Sequence, residues 1–328
     1  MIIDELLKTV NTHVPFNTAE SWDNVGLLIG DKANKVTGIL TALDCTEEIV
    51  DEAIKKGYNT IICHHPLIFK GIKNITQQDG YGLIIRKLIQ HDVNLIALHT
   101  NLDVHPQGVN AMLSNKLGLK EQQILNPETI SYYKVQVFIP EENLNNFKDA
   151  LSEAGVAQEG DYQYCFFESK GTGQFKPVDN ANPHIGEKNQ IAHVDEYKLE
   201  FMIEHQQRSL TQDLITQHHP YETPVYDFIE LKKQANYGLG MIGKLSEAMT
   251  ARKFVDHAKS QLKMPSVRFS GDINANIETV AIIGGSGIGF EYTAKQKGAD
   301  IFVTGDIKHH DALDAKIAGV NLLDINHY

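Results

Sequence analysis

The chain has 328 residues, of which 42% are hydrophobic and 22% are charged, and its formal net charge at pH 7 is -12. This length allows two or three domains with cores of their own, and the composition is ordinary for a soluble globular protein. The acidic balance disfavours non-specific binding to nucleic acid or to an anionic membrane surface.

The cysteine content and the N-terminal sequence indicate the compartment. Cys45, Cys63 and Cys165 are the only cysteines, far apart and odd in number, which argues against a disulfide framework. The first eight residues carry acids where a signal peptide needs basic residues. No stretch approaches the ~20 apolar residues of a membrane-spanning helix. We therefore expect a cytoplasmic protein without a membrane segment.

The first third of the chain alternates helices and strands. The periodicity predicts helices over 2–13, 46–56 and 82–91, and strands over 27–29, over 37–43, in the run that ends at His64 and His65, and from 93 towards Asp103. Thr46 is the predicted N-cap of the second helix, with acidic residues in its first turn. This alternation predicts a largely parallel sheet covered on both faces.

A turn-rich loop over 15–26 carries the only tryptophan of the chain. We interpret Trp22 as a side chain that fills the hydrophobic core. Its neighbours Asp23 and Asn24 are candidates to line a polar pocket.

Ligand-type side chains follow two of the predicted strands. His64 and His65 end one apolar run, and His99 and Asp103 follow the next. The carboxyl ends of strands are where ligands bind in α/β sheets, and imidazole with carboxylate suits Zn, Fe, Mn or Co. One histidine at a strand end is more often a hydrogen-bonded surface group. Ligand-type tips on two strands of one local unit favour a metal site.

The last third resembles the first. When Gly57 is laid on Gly298, the following strands coincide and Asp306 takes the position of His65. A later strand ends near His327, close to the position that corresponds to His99. We predict two similar α/β lobes, residues 1–129 and 233–328, that form one metal-site domain.

The segment between the lobes, residues 130–232, has a different character. It predicts strands from 132, over 164–169, over 197–203 and over 226–231, with helices over 142–153 and 210–217 and Gly-rich and Asn-rich loops after 169. This order is that of a split, ferredoxin-like α+β domain inserted into the α/β protein. His218 and His219 are interpreted as structural turn residues within it.

Two further motifs leave alternatives open. The glycines of 284–289 stand between a strand and a helix, so their amides either cradle a phosphate or form a tight turn. Phe290 occupies the position of the third glycine of a dinucleotide fingerprint, which argues against such a site. Asp306, His309 and His310 are candidates for an acid or base that reaches the site. The alternative for the two histidines is that they lie on a helix surface.

Four motifs carry a family resemblance: Ser21-Trp-Asp-Asn-Val-Gly-Leu-Leu-Ile-Gly30, Cys63-His-His-Pro-Leu-Ile-Phe69, His99-Thr-Asn-Leu-Asp103 and Val303-Thr-Gly-Asp-Ile307. They resemble the Nif-three-like family, whose bacterial members are commonly labelled GTP cyclohydrolase I type 2 homologs. The middle segment, with His219-Pro-Tyr-Glu-Thr-Pro224, resembles a trimer-forming module related to copper-tolerance and PII-type proteins.

The resemblance implies a cytoplasmic ring, usually a homohexamer, with two divalent metal ions (Zn, Fe or Mn) in each subunit. The implied ligands are His64, His65, Asp103 and His327. The family's further ligand is a glutamate a few residues after the last histidine, and the sequence ends at Tyr328 without it. Either the chain is shortened or the second metal is weakly held.

The function implied is metal-assisted hydrolysis of a nucleotide-like substrate. A water activated by the two metals would attack an electron-poor carbon, such as C8 of a guanine nucleotide, with Asp103 as the bridging carboxylate. The alternative is a ring that stores, inserts or senses metal without turnover, or a regulatory oligomer.

Overall fold

The computed structural model describes residues 1–76 and 80–327. The chain divides into two compact units, one formed by Met1–Glu128 with Asn236–Tyr328 and the other by Thr129–Ala235. The limits predicted for the middle segment, 130 and 232, lie close to those of the second unit. None of the described helices is long and apolar enough to span a membrane.

The first unit contains a four-stranded sheet built from the N-terminal part of the chain. Its strands are β1 (Gly26–Ile29), β2 (Ile39–Ala42), β3 (Thr60–Cys63) and β4 (Asn94–Ala97). They stand in the order β1–β4–β3–β2, with β2, β3 and β4 parallel and β1 antiparallel. The helices of this part are α1 (Ile3–His13), α2 (Glu47–Lys56), α3 (Gly80–Gln90), α4 (Thr100–Asp103) and α5 (Val109–Lys116), and a short 3-10 helix covers Phe16–Thr18.

Local sequence explains why α2 and β3 form where they do. The Thr46 hydroxyl accepts a hydrogen bond from the amide of Ile49, and Gly57 ends α2 in the left-handed conformation with φ 71°. In β3 and β4 most residues are buried, as expected for parallel strands that helices cover on both faces. The predicted helices and the first three predicted strands of this region are confirmed, with shifts of a few residues at their ends. The strand predicted from 93 towards Asp103 ends at Ala97, and residues 100–103 form the helical turn α4 instead.

The first unit also contains a second sheet from the C-terminal part of the chain. Its strands are β8 (Tyr226–Thr250, which begins in the second unit), β9 (Arg268–Ser270), β10 (Asn276–Ile282), β11 (Ile301–Thr304) and β12 (Leu322–Asp324), and its helices are α8 (Ala251–Leu262), α9 (Glu291–Gln296) and α10 (His309–Ile317). The order is β8–β10–β11–β12–β9, with β10, β11 and β12 parallel.

The two sheets share one hydrogen-bond pattern. The Oδ1 atom of Asn94 accepts from the amide of Asp31, and its Nδ2 donates to the carbonyl of Asn59. Asn321 makes the same two bonds, accepting from the amide of Asp272 and donating to the carbonyl of Asp300. Asp31 and Asn59 correspond to Asp272 and Asp300 when Gly57 is laid on Gly298, so the bonds recur at matching positions.

The second unit has the element order β5 (Lys120–Pro140, which begins in the first unit), α6 (Leu144–Glu153), β6 (Phe167–Phe175), β7 (Ala192–Glu204), α7 (Arg208–His218) and β8, with short 3-10 helices over Glu141–Asn143 and His205–Gln207. Its strands stand in the order β6–β7–β5–β8. The predicted strand over 164–169 was placed too early, since β6 continues through Gly171 and Gly173, which the sequence suggested as loop. These glycines pair with Glu196 and Val194 of β7.

Candidate functional site

The ligand-type residues of the first unit meet at the carboxyl ends of its strands. His64 and His65 follow β3, His99 follows β4, and His327 follows β12. Asp103 ends the single turn α4, which begins directly after His99. All five line one cavity of about 860 Å³. The structure thus brings together the four predicted ligands and adds His99 to them.

The imidazole rings are close enough to act on a common ligand. The ring of His65 lies 5.0 Å from that of His64, 5.7 Å from that of His99 and 5.2 Å from that of His327, between centroids. The ligand atoms of His64, His65 and His99 lie within 4.8 Å of one another. The Nε2 atom of His64 is 3.6 Å from Oδ1 of Asp103. The tightest group of described ligand atoms is therefore His64, His65 and His99, with Asp103 beside it.

A backbone carbonyl fixes the tautomer of His64. Its Nδ1 lies 2.8 Å from the carbonyl oxygen of Leu98. A carbonyl only accepts, so Nδ1 carries the proton and Nε2 is left with its lone pair. Nε2 is the atom that lies near Asp103.

Carboxylates hold the other three imidazoles in the same way. The Nδ1 atoms of His65, His99 and His327 lie 2.8, 2.9 and 2.6 Å from carboxylate oxygens of Asp44, Asp23 and Asp306 respectively. Such contacts orient an imidazole and raise the basicity of its other nitrogen. All four histidines therefore offer Nε2 as the free nitrogen.

Of these carboxylates, the sequence analysis singled out Asp306 but not Asp44. Asp306 was a candidate to reach the site, and it does so by accepting a hydrogen bond from His327. Its backbone has φ 56°, a left-handed conformation that is uncommon for a residue with a side chain. Asp44 was missed, although it stands just after β2, at the sheet edge where β3 ends. Its position directly after a predicted strand could have identified Asp44 as a candidate site residue.

Burial suppresses charge at the centre of the cavity. Desolvation, with help from the neighbouring imidazoles, lowers the pKa of His64 to about 4. Desolvation also raises the pKa of Asp103 to about 6. Without a bound cation, burial therefore disfavours the charged forms of both His64 and Asp103. A divalent cation would relieve the cost at Asp103 and needs the neutral form of His64.

The interpretation of Trp22 as a core side chain was wrong. Its side chain is 58% exposed, with the ring 5.8 Å from that of Phe69 and 6.4 Å from that of His99. Asp23 takes the buried place instead, because its carboxylate bonds to His99 and to the amide and hydroxyl of Thr100. Asn24 donates to the carbonyl of Ile68. Trp22 and Phe69 both line the cavity.

The glycine-rich turn at 284–289 uses several of its amides within the protein. Gly284 donates to the side chain of Asn110, Gly287 to that of Thr304 and Gly289 to that of Glu291. The amides of Gly285 and Ser286 make no hydrogen bond to another described residue. The segment is therefore a tight turn, with two amides left at the cavity wall.

The remaining histidines that the sequence singled out lie elsewhere. His309 and His310 begin α10, and neither is among the described residues that line this cavity. His219, in the second unit, is buried, and its Nε2 lies 2.8 Å from the carbonyl of Phe138. That contact agrees with a structural role for His219.

The donor set fits a divalent transition metal. Neutral imidazole nitrogens and a carboxylate are ligands that Zn, Fe and Mn accept in proteins. Two observations support this fit. The Nδ1 atoms of four imidazoles are held by hydrogen bonds. The carboxylate of Asp103 is half-buried, and its burial disfavours the ionised form.

Fold and site together define an α/β protein with an imidazole and carboxylate cluster at the ends of its strands. The profile of the Duf34/NIF3 (NGG1p interacting factor 3) family matches residues 1–328. The chain belongs to this family.

Relatives and solved structures agree with this assignment. A protein of Staphylococcus aureus strain COL named GTP cyclohydrolase 1 type 2 homolog is 63% identical over 328 residues, which are 100% of this chain and 89% of the relative. The crystal structure of a Staphylococcus aureus protein superposes with TM-score 0.86 at 59% identity, covering 100% of this chain and 88% of that one. The crystal structure of a Bacillus cereus protein related to NIF3 superposes with TM-score 0.75 at 38% identity, again covering 100% of this chain and 88% of that one.

Proposed function

We propose that this protein binds two divalent metal ions, Zn, Fe or Mn, and uses them as a metal-dependent hydrolase on a nucleotide-like substrate. His64, His65, Asp103 and His327 would hold the ions. The observation that supports this most is the approach of the ligand atoms of His64, His65 and His99 to within 4.8 Å of one another.

The ions would supply Lewis acidity, which lowers the pKa of a bound water and makes it a nucleophile near neutral pH. The protein's own contribution is orientation. Leu98, Asp44, Asp23 and Asp306 fix the Nδ1 atoms of the histidines, so each ring keeps its tautomer. His99 lies beside the proposed ligands and is available either to complete the coordination or to contact the substrate.

The walls of the cavity suit a planar, phosphorylated molecule. Its volume of about 860 Å³ falls in the ~300–1,000 Å³ range of small-molecule sites. The exposed rings of Trp22 and Phe69 offer aromatic faces for a base, and the amides of Gly285 and Ser286 offer donors for a phosphate. The names of the relatives point to the same substrate class.

A metal and activity assay tests this proposal. Protein purified without chelators is analysed for metal and then incubated with a panel of guanine and adenine nucleotides, whose products are separated by chromatography. We expect bound metal and turnover, and His64→Ala should lose both. His91→Ala, an exposed histidine outside the cavity, is the matched control. Full metal occupancy without turnover of any nucleotide would favour storage, insertion or a regulatory role and refute the hydrolase.

We extend the proposal to assembly and location. The family resemblance supports a cytoplasmic homohexameric ring, in which the segment 130–232 is an inserted ferredoxin-like domain related to PII and copper-tolerance proteins. Light scattering of the purified chain tests the ring, since a hexamer has six times the mass of the 36.7 kDa monomer.

A further inference from the structure

The second unit contains a cavity of its own, which the metal site does not involve. It measures about 440 Å³ and lies between β6, the start of β7 and the segment 221–225. Its apolar walls include the rings of Phe138, Phe175 and Tyr221. The rings of Phe175 and Tyr221 stand edge to face, 6.1 Å apart.

One carboxylate in the cavity wall is buried. Glu196, on β7, is 8% exposed and lines the cavity. Its Oε1 accepts a 2.7 Å hydrogen bond from the hydroxyl of Tyr221. Burial and this hydrogen bond raise the pKa of Tyr221, so the hydroxyl stays the donor and Glu196 the acceptor.

The fold makes room for this carboxylate and, in the described part of the chain, brings no cationic nitrogen into direct contact with it. A Cβ atom at position 173 would overlap Oε2 of Glu196, so the glycine in β6 creates the space that the carboxylate fills. Among the described residues, no lysine, arginine or histidine nitrogen lies within 4.0 Å of the Glu196 carboxylate. Lys176 and His184 also line the cavity. Lys176 is exposed, so solvent screens its charge, and Nε2 of His184 lies 3.8 Å from the carboxylate of Glu142 instead.

A buried acceptor flanked by aromatic rings selects for positive charge. A carboxylate shielded from water gains more from a charge-assisted hydrogen bond than an exposed one. Aromatic faces attract the same cations through the ring quadrupole. An anion would be repelled by the negative charge of Glu196, and a neutral apolar ligand would bring no opposite charge to it.

We propose that this cavity binds a small organic cation, an ammonium or amidinium group on an apolar or aromatic body, with the charged group paired to Glu196. Such a site lies wholly within the second unit and is independent of the proposed hydrolase.

The test compares two ligands of the same shape on the full chain. Benzamidine is a flat aromatic cation, and benzamide is its neutral counterpart. We expect calorimetry or NMR titration to show benzamidine binding at least ~tenfold tighter than benzamide, the affinity ratio that corresponds to ~1.4 kcal/mol. Glu196→Gln keeps an acceptor for Tyr221 and removes the charge, so it should abolish this preference. Glu230→Gln, an exposed carboxyl of β8, is the matched control and should leave it intact.

Three outcomes would overturn the proposal: equal affinity for the two ligands, a preference that survives in Glu196→Gln, or no binding of benzamidine at millimolar concentration. If Glu196→Gln fails to fold, the comparison of the two ligands on the unmodified chain decides. Chemical-shift changes then have to fall on Phe175 and Tyr221 for the proposal to stand.

Discussion

The imidazole of His99 is held by a buried carboxylate from a distant loop. Its Nδ1 lies 2.9 Å from Oδ1 of Asp23, and the other carboxylate oxygen accepts from the amide and hydroxyl of Thr100. Burial alone would raise the pKa of Asp23, but these hydrogen bonds outweigh it and the pKa is lowered. Asp23 is therefore an ionised acceptor that keeps Nε2 of His99 free.

Asp23→Asn should weaken metal binding at the proposed site. The amide places a donor where His99 needs an acceptor, so the ring turns or changes tautomer. Loss of such an anchoring contact typically costs ~10–100-fold in metal affinity. Competition with a chromogenic chelator measures the change. Asp213→Asn, exposed on α7, is the control. Unchanged affinity in Asp23→Asn would show that His99 takes no part in metal binding.

Asp103→Asn should stabilise the metal-free protein at high pH while removing metal binding. Burial raises the Asp103 pKa from 3.8 to about 6, so above pH 6 the folded state carries a carboxylate that it disfavours. Two pKa units correspond to about 3 kcal/mol at most, because partial solvent access reduces the cost. Urea unfolding in a chelator at pH 8 should show the variant more stable by ~1–3 kcal/mol.

The difference should shrink as the pH falls through 6 and vanish below 3.8, where Asp103 is neutral in both states. His64 adds a separate effect: because its pKa in the folded state is lowered to about 4, its protonation destabilises the folded protein on acidification below 6.5. A stability difference that does not depend on pH would mean that burial does not perturb Asp103.

Trp22 should report ligand binding by its fluorescence. It is the only tryptophan, 58% exposed, and lies at the cavity wall beside Phe69. Guanosine monophosphate added to the metal-loaded protein should quench the emission, whereas ribose 5-phosphate, which lacks a base, should not. Phe69→Leu should weaken the binding ~2–10-fold, since an aromatic contact contributes ~0.5–1.5 kcal/mol.

Tyr162→Leu is the control for the loss of an exposed ring, because Tyr162 is 77% exposed in the second unit. Equal quenching by the two phosphates would refute base recognition at this wall. The proposed hydrolysis is tested separately by turnover.

The sequence predicted features that depend on near neighbours. The helix α2 and the strand β3 follow from the capping by Thr46, the left-handed Gly57 and a short apolar run that ends at Cys63. The ends of β3 and β4 likewise placed His64, His65 and His99 at one edge, because parallel strands end together. Asp103 lines the same cavity from the helical turn α4, which the sequence analysis did not predict.

Features that depend on distant residues were missed. Asp23 and His99 are 76 positions apart, and no local pattern shows that the buried side chain of this loop is Asp23 rather than Trp22. The sequence predicts a loop at Gly173, since glycine is disfavoured in strands. In the sheet it leaves space for Glu196, a residue of another strand.

The shared hydrogen bonds of the two sheets give a final prediction, on stability. Asn94→Ala should destabilise the protein by ~2–4 kcal/mol, because Asn94 is fully buried and its loss leaves the Asp31 amide and the Asn59 carbonyl without these partners. Asn321→Ala removes the matching pair of bonds at a less buried position and should cost ~1–3 kcal/mol. Urea unfolding measures both. Asn74→Ala, exposed in a loop, should stay within ~0.5 kcal/mol of the parent. If the Asn94 variant is as stable as the Asn74 variant, the recurring bonds do not stabilise the sheets.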